Sequence, residues 1–259
     1  KVGDSVFGSI NSPGKRYGAW ATHFCSKEQY ITPKPDYLTY YEAAACAGSG
    51  KVASCAIIQC CSLQQDDKVL IVGASGGVGN LAVQIAKLKG AYVIGVCSKK
   101  NENLVKSLGA DRVIDYTSTS YSELLIKENN KMDFVVDFVG GKETEEDSLK
   151  VLKKSGKFVT AVGPVKYIGD SKLGWWGITK YLSYICWRAL QTQLKKPKYK
   201  FVAPTSSVYP IFMEIIEENS IKPIIDKVIS FDQQEIKEAI KYVKTHRASG
   251  KVVIQINHT

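Results

Sequence analysis

From Lys68 to Val162 short apolar runs alternate with longer segments of helical period. Val69-Leu70-Ile71-Val72 is compact and β-branched, as a strand buried on both faces requires. A glycine-rich turn follows, and then Val78 to Leu88, where Leu81, Ile85 and Leu88 recur at helical spacing. Tyr92 to Val96, Val113-Ile114, Phe134 to Val136 and Phe158 to Val162 supply four further strands. Between them, helices are predicted at Leu104 to Leu108, Tyr121 to Asn129 and Glu143 to Lys154, the last with acids first and lysines last, as the helix dipole favours. This alternation predicts an α/β fold with a doubly wound parallel sheet covered on both faces.

The two ends differ from this middle. Residues 1–42 hold short extended pieces broken by Pro13-Gly14, Pro33 and Pro35, without helical periodicity. The tail predicts a helix at Val208 to Glu218, a strand at Ile224 to Ile229, a helix at Gln233 to Thr245 and a strand at Val252 to Ile256. No internal repeat or low-complexity linker divides the chain.

Composition narrows the class. The 259 residues are 44% hydrophobic and 23% charged, too apolar for a disordered chain and ample for a core. No run of eighteen apolar residues occurs, so no membrane span is expected. Lys1-Val2-Gly3-Asp4 has neither a charged leader nor an apolar core, so no secretory signal is read there. The seven cysteines form an odd set without a C-x-x-C pair, which fits free thiols in a reducing compartment, cytoplasmic or mitochondrial.

The net charge of +10 is uneven. Between Lys166 and Lys200 eight basic residues face one acid, Asp170, and three of the four tryptophans (Trp175, Trp176, Trp187) lie there too. A segment of this kind is either a solvated insertion packed on the protein or a second subunit, or a surface for an anionic membrane. It contains no nucleic-acid docking motif, and no nucleic-acid partner is expected.

Candidate chemistry centres on Gly73-Ala74-Ser75-Gly76-Gly77-Val78-Gly79. A strand, a tight glycine turn and a helix start let the backbone approach a pyrophosphate and offer it unpaired N–H groups. A dinucleotide site for NAD carries an acid at the end of the second strand to hold the ribose hydroxyls. Here Cys97-Ser98-Lys99-Lys100 stands instead, and a hydroxyl with two cations suits the 2′-phosphate of NADP(H). His23, His246 and His258 have no metal-ligand spacing, so no metal site is expected. The turn is neither a G-x-S-x-G nucleophile elbow nor an ATP-binding loop.

Several motifs fall in order along the chain: Val2-Gly3-Asp4-Ser5-Val6-Phe7-Gly8, Glu42-Ala43-Ala44-Ala45, Ser75-Gly76-Gly77-Val78-Gly79, Leu108-Gly109-Ala110-Asp111 with Val113-Ile114-Asp115-Tyr116, and Gly250-Lys251-Val252-Val253. Together they resemble the medium-chain dehydrogenase/reductase superfamily, in its zinc-independent quinone oxidoreductase branch. Val96-Cys97-Ser98-Lys99 followed by Leu104-Val105 is similar to the mitochondrial reticulon-interacting oxidoreductases within that branch. The resemblance implies a Rossmann domain over residues 43–221, with the basic aromatic insertion at about 166–200. A partial GroES-like β-rich catalytic domain is implied from residues 1–42 and 222–259.

The resemblance also implies roles. Ser75, Gly76, Gly77 and Val78 would hold the pyrophosphate, Ser98 and Lys99 the 2′-phosphate, and Tyr116 would lie near the adenosine. Val139, Gly140 and Val162 would approach the nicotinamide. Gly48 falls where zinc-dependent members have a cysteine ligand, and Val52 where many quinone reductases have a threonine. In the family the Val-Gly-Asp-x-Val-Phe-Gly motif lies well inside the first domain. The resemblance therefore implies a missing front part, which carries the substrate-side Asn/Asp and Tyr, and no catalytic residue is assigned.

The expected activity is NADPH-dependent hydride transfer to a quinone, enone or similar electron-poor carbonyl, without zinc. A 2-enoyl thioester reductase remains open, as does a weakly catalytic nucleotide-binding subunit of a larger or membrane-associated assembly. The expected partners are a small-molecule electron acceptor and either a second copy of the chain or the rest of an assembly.

Overall fold

The computed structural model describes residues 1–9, 18–163, 175, 179, 183–184, 186–188, 198–204 and 208–256. In chain order the elements are β1 (Val6–Gly8), β2 (Ile31–Pro33), α1 (Tyr40–Ser54), β3 (Lys68–Val72), α2 (Gly79–Leu88), β4 (Tyr92–Cys97), α3 (Glu102–Ser107) and β5 (Arg112–Asp115). They continue with α4 (Tyr121–Lys127), β6 (Met132–Asp137), α5 (Lys142–Val151), β7 (Leu152–Thr160), β8 (Lys198–Phe201), α6 (Val208–Asn219), β9 (Ile225–Ser230), α7 (Gln233–Lys244) and β10 (Lys251–Gln255). The chain forms two compact units: one from residues 1–54, 76–81 and 204–259, the other from residues 55–75 and 82–203.

The second unit contains a six-stranded sheet in the order β5-β4-β3-β6-β7-β8, every pair parallel. This is the doubly wound order, in which β3, the first of these strands along the chain, lies at the centre and the strand order reverses between β3 and β6. Val69 to Val72 are buried on both faces of β3, which explains its unbroken apolar run. The core on one face joins Leu70, Ile94, Val96 and Ile114 of the sheet to Tyr121 and Leu125 of α4 and Val151 of α5.

In the second unit two features depart from the sequence-based expectation. The helix expected at Glu143 to Lys154 ends at Val151, because Leu152 already pairs with Met132 in the sheet. A sixth strand, β8, arises inside the basic segment. Its Lys-Tyr-Lys-Phe alternation places Tyr199 against Phe158, with ring centroids 5.1 Å apart, while Lys198 and Lys200 stay exposed along the sheet edge.

In the first unit, β1 and β2 form a short antiparallel ribbon and β9 and β10 a parallel pair. Asp232 caps α7 by accepting from the N–H groups of Gln234 and Glu235 at 2.8 and 3.0 Å. Helix α1 is built mainly of small residues, with Glu42 in its first turn and Lys51 in its last, and most of its positions are buried. Phe212 of α6 packs directly over Gly50, where a Cβ would meet the ring at 2.0 Å. Tyr40–Cys61, which includes the π-helical turn Cys55–Cys61, is long and apolar enough to cross a membrane by length and composition. Buried residues make up 72% of its most apolar stretch, as in a core helix.

Part of the basic aromatic segment is integral to the second unit. Glu145 of α5 is fully enclosed and accepts from Tyr199 Oη at 3.0 Å, and also from Tyr184 and Arg188. The Arg188 guanidinium lies 5.1 to 5.5 Å from the ring centres of Trp187, Tyr184 and Tyr199. Trp175 is 85% exposed. Lys166, Asp170, Lys172, Trp176, Lys180, Lys195 and Lys196 lie outside the described residues.

Candidate dinucleotide site

In a doubly wound sheet ligands lie beyond the carboxyl ends of the strands, at the point where strand order reverses. The turn after β3 is shaped for close approach. Gly73 adopts φ +82°, and its N–H and that of Ala74 donate to the Val96 carbonyl at 3.1 and 3.0 Å, fixing the turn to β4. A Cβ on Gly95 would come within 2.5 Å of Val105, so glycine there lets α3 pack on β4.

In the second unit Ser75 and Ser98 are brought together by a residue with no role in the sequence-based expectation. Asn101, 8% exposed, donates from Nδ2 to Ser75 Oγ at 3.0 Å and to Ser98 Oγ at 3.5 Å. Its backbone N–H donates to the Ser98 carbonyl at 2.9 Å, within the tight turn Lys99–Asn101. The ends of the first two central strands thus carry two hydroxyls linked by one amide.

Lys99 and its surroundings amend the expectation of an acid-free strand end. Its Nζ lies 2.6 Å from Glu102, which also holds Lys106 at 2.7 Å. Those two ammonium groups, Lys106 first, hold the Glu102 carboxyl down at about 2. The strand end itself has no carboxylate; the first turn of the following helix supplies one. Tyr116 is 59% exposed, and its N–H donates to the Cys97 carbonyl at 3.2 Å, which fixes it beside the end of β4.

At the ends of β6 and β7 the loops carrying Val139, Gly140 and Val162 are held by a buried polar pair. Asp137 accepts from the N–H groups of Val139 and Gly140 at 2.8 and 2.9 Å and from Thr160 Oγ1 at 2.9 Å. Thr160 Oγ1 in turn accepts from the N–H groups of Val162 and Gly163 at 3.2 and 2.8 Å. Burial pushes the Asp137 carboxyl up, against the pull of those donors. Gly140 has φ +77°, and a Cβ there would meet Val162 at 2.5 Å. The two loops are therefore one rigid surface.

In the first unit, Gly76 to Val78 open α2. Asn80, fully buried, donates from both its backbone N–H and Nδ2 to the Gly76 carbonyl at 3.0 and 2.7 Å and accepts from the Ile224 N–H at 3.2 Å. A Cβ on Gly77 would fall 2.7 Å from the outer methylenes of Lys251, so any larger residue there would have to displace that side chain. The first N–H groups of α2 have no acceptor inside the helix, as at any helix start.

Each unit by itself carries features that suit a dinucleotide: in the first, the helix start at Gly76 to Val78; in the second, the hydroxyls linked by Asn101 and the loops held by Asp137 and Thr160. Asn101, Asp137, Thr160 and Asn80 were missed from the sequence. Among the described residues no group of three or more His, Cys, Asp or Glu side chains converges. Gly48 and Val52, at the positions expected to differ from zinc-dependent and threonine-bearing relatives, both lie in α1.

Comparison with known proteins shows the family. Residues 108–254 match the family described as zinc-binding dehydrogenase. The zebrafish (Danio rerio) mitochondrial NAD(P)H oxidoreductase RTN4IP1 is 34% identical over 99% of this chain and 67% of its own length. A tomato (Solanum lycopersicum) 2-methylene-furan-3-one reductase is 29% identical over 98% of this chain and 58% of its own. The chain thus spans about two thirds or less of the length of these curated relatives. An alcohol dehydrogenase superfamily structure from Novosphingobium aromaticivorans superposes with a TM-score of 0.78 at 24% identity, covering 99% of this chain and 76% of that one. This chain belongs to the zinc-binding dehydrogenase family, within the medium-chain dehydrogenase/reductase superfamily of nicotinamide-dependent oxidoreductases.

Proposed function

We propose that the chain binds NADP(H) and reduces an electron-poor carbonyl compound, a quinone or a conjugated enone, without zinc. The observation that carries this reading is the pair of hydroxyls, Ser75 and Ser98, at the ends of the first two central strands, with no carboxylate on the strand end itself. Bound NADPH supplies the hydride. Gly76, Gly77 and Val78 offer the pyrophosphate unpaired amides, and Ser75, tied to Ser98 through Asn101, turns from the pyrophosphate role expected of it toward the 2′-phosphate. Ser98 and Lys99 take the 2′-phosphate, and for that Lys99 exchanges its Glu102 carboxylate for the ligand's anion. Tyr116 flanks the adenosine, while Val139, Gly140 and Val162 orient the nicotinamide and exclude water, their loops fixed by Asp137 and Thr160. Zinc independence is supported by Gly48, which has no side chain to ligate a metal.

The enone class is supported by relatives named as reductases of such compounds, among them an NADPH-dependent alkenal/one oxidoreductase of Arabidopsis thaliana. A relative named a trans-enoyl reductase keeps a 2-enoyl thioester among the candidate acceptors. Val52 favours a second reading. Without a hydroxyl at that position the chain would hold the nucleotide with little turnover, as a subunit of an assembly.

The test is NADPH oxidation followed by absorbance across quinones, enones and acyl-CoA enoyl thioesters, with nucleotide binding measured in parallel. Turnover of quinone or enone is the expected result, and acyl-CoA turnover alone would move the substrate to the thioester. Binding without oxidation of any acceptor would leave the nucleotide-binding subunit, and no binding would reject both readings.

A further inference from the structure

We propose that Asn101 is a positioning residue of the phosphate-binding site, which presents Ser75 and Ser98 as paired hydrogen-bond donors and so sets the preference for a 2′-phosphate. The proposal rests on the NADP(H) reading above. It follows from proton counting. A serine hydroxyl has one proton and two lone pairs, and a side-chain amide nitrogen has two protons and no acceptor capacity. Asn101 Nδ2 reaches both Oγ atoms, at 3.0 and 3.5 Å, so each amide proton serves one serine. With a lone pair of each oxygen occupied by Asn101, the hydroxyl protons are left to donate elsewhere. A phosphomonoester dianion consists of acceptors alone and satisfies both.

The surroundings hold that arrangement in place. Asn101 is buried, and its backbone is pinned to the Ser98 carbonyl at 2.9 Å, so the amide cannot swing away from the serines. Ser75 and Asn101 are themselves buried, and the bond between them is shielded from competing water. Charge nearby is balanced: Lys99 and Lys106 flank the carboxylate of Glu102, and Asp115, which accepts from the Lys99 backbone N–H, sets a second carboxylate beside Lys99. Asparagine and aspartate occupy nearly the same volume at position 101 and instruct the serines oppositely. Aspartate would accept both hydroxyl protons and place a negative charge where the phosphate must come.

Two adenosine fragments isolate the effect from the rest of the site. Binding of adenosine 2′,5′-bisphosphate and of ADP is measured by calorimetry on the wild-type chain and on Asn101→Ala and Asn101→Asp, with the melting temperature of each. The wild type prefers the 2′,5′-bisphosphate. Asn101→Ala weakens that ligand about tenfold, the loss of one charge-assisted orientation, and leaves ADP within about threefold. Asn101→Asp weakens it about a hundredfold and reverses the NADPH over NADH preference of the intact cofactors. A wild-type preference that survives in Asn101→Asp overturns the role of Asn101 while leaving NADP(H) as the cofactor. Equal losses for both fragments would also overturn it, since they mark a merely structural residue. A folded wild type that binds the two fragments equally would overturn the NADP(H) reading itself.

Discussion

Glu102 shows how one side chain shapes local electrostatics at the carboxyl end of β4. Lys106 and Lys99 lie 2.7 and 2.6 Å from its carboxylate and hold it at about 2, against an ordinary value of 4.5. The folded-state value is the lower one, so the folded chain keeps the charge while the unfolded chain takes up a proton. The stabilisation is therefore complete above pH 4.5 and is lost as pH falls through about 2. Glu102→Gln is expected to flatten the acid limb of stability in that window by lowering stability near neutrality while leaving it little changed at the most acidic pH. Urea melts at a series of acidic pH values check this, and identical acid limbs would show that solvent screens the pair to nothing. Glu102 has no role in the sequence-based expectation, since only the helical turn at Lys99–Asn101 brings it back over Lys99. Asn101, Asp137 and Thr160 were illegible for a different reason. A polar residue buried with all its bonds made looks the same in sequence as one in water, and burial at these positions is decided by strands far apart in the chain.

At the scale of elements, what could be read was set by apolar pattern. The strands β3, β4 and β6 stand out because both their faces are covered, and the βα alternation follows from them. Helix α1 was missed because Ala, Cys, Gly and Ser surround it on every side and leave no stripe to detect. Its tolerance for so many small residues has a cause in packing: Phe212 occupies the space over Gly50. Gly50→Ala sets two effects against each other. Alanine favours the helix by about 1 kcal/mol. The added methyl would sit 2.0 to 2.4 Å from three ring carbons, and overpacking of a filled core costs about 1 to 3 kcal/mol. The clash wins, and Gly50→Ala is expected to lower stability in chemical denaturation. Phe212→Leu in the same chain should recover part of the loss, a coupling that a double-mutant cycle would measure and that independent sites would lack. Strand β8 had a legible signal, the two-residue alternation of Lys198 to Phe201, but the lysine-rich composition around it drew the reading toward a surface.

For the molecule as a whole, the excess of positive charge bears on which dinucleotide is held, and the net +10 is a term no single contact supplies. NADPH differs from NADH by one phosphate, worth about −1.5 to −2 charges at neutral pH. On the proposed reading the favourable field of the whole chain acts on that difference, and so do Ser98 and Lys99 at short range. Salt separates the two contributions. Raising ionic strength from about 0.01 M to about 1 M shortens the screening length from about 30 Å to about 3 Å, which removes the long-range field and spares hydrogen bonds in contact. NADPH affinity should therefore fall more steeply with salt than NADH affinity, while a residual preference for NADPH persists at the high end. Thermal melts provide the readout without any electron acceptor. Nucleotide at about 100 times its dissociation constant adds about 2.7 kcal/mol, about 5 to 10 °C for a chain of this length melting in one step. Parallel salt dependences for the two nucleotides would mean that the basic excess lies too far from the phosphate to be felt. Cofactor choice would then belong entirely to the few atoms at the ends of β3 and β4. A preference that vanishes at high salt would mean the reverse: the serines make no bond to the phosphate, and the field alone selects it.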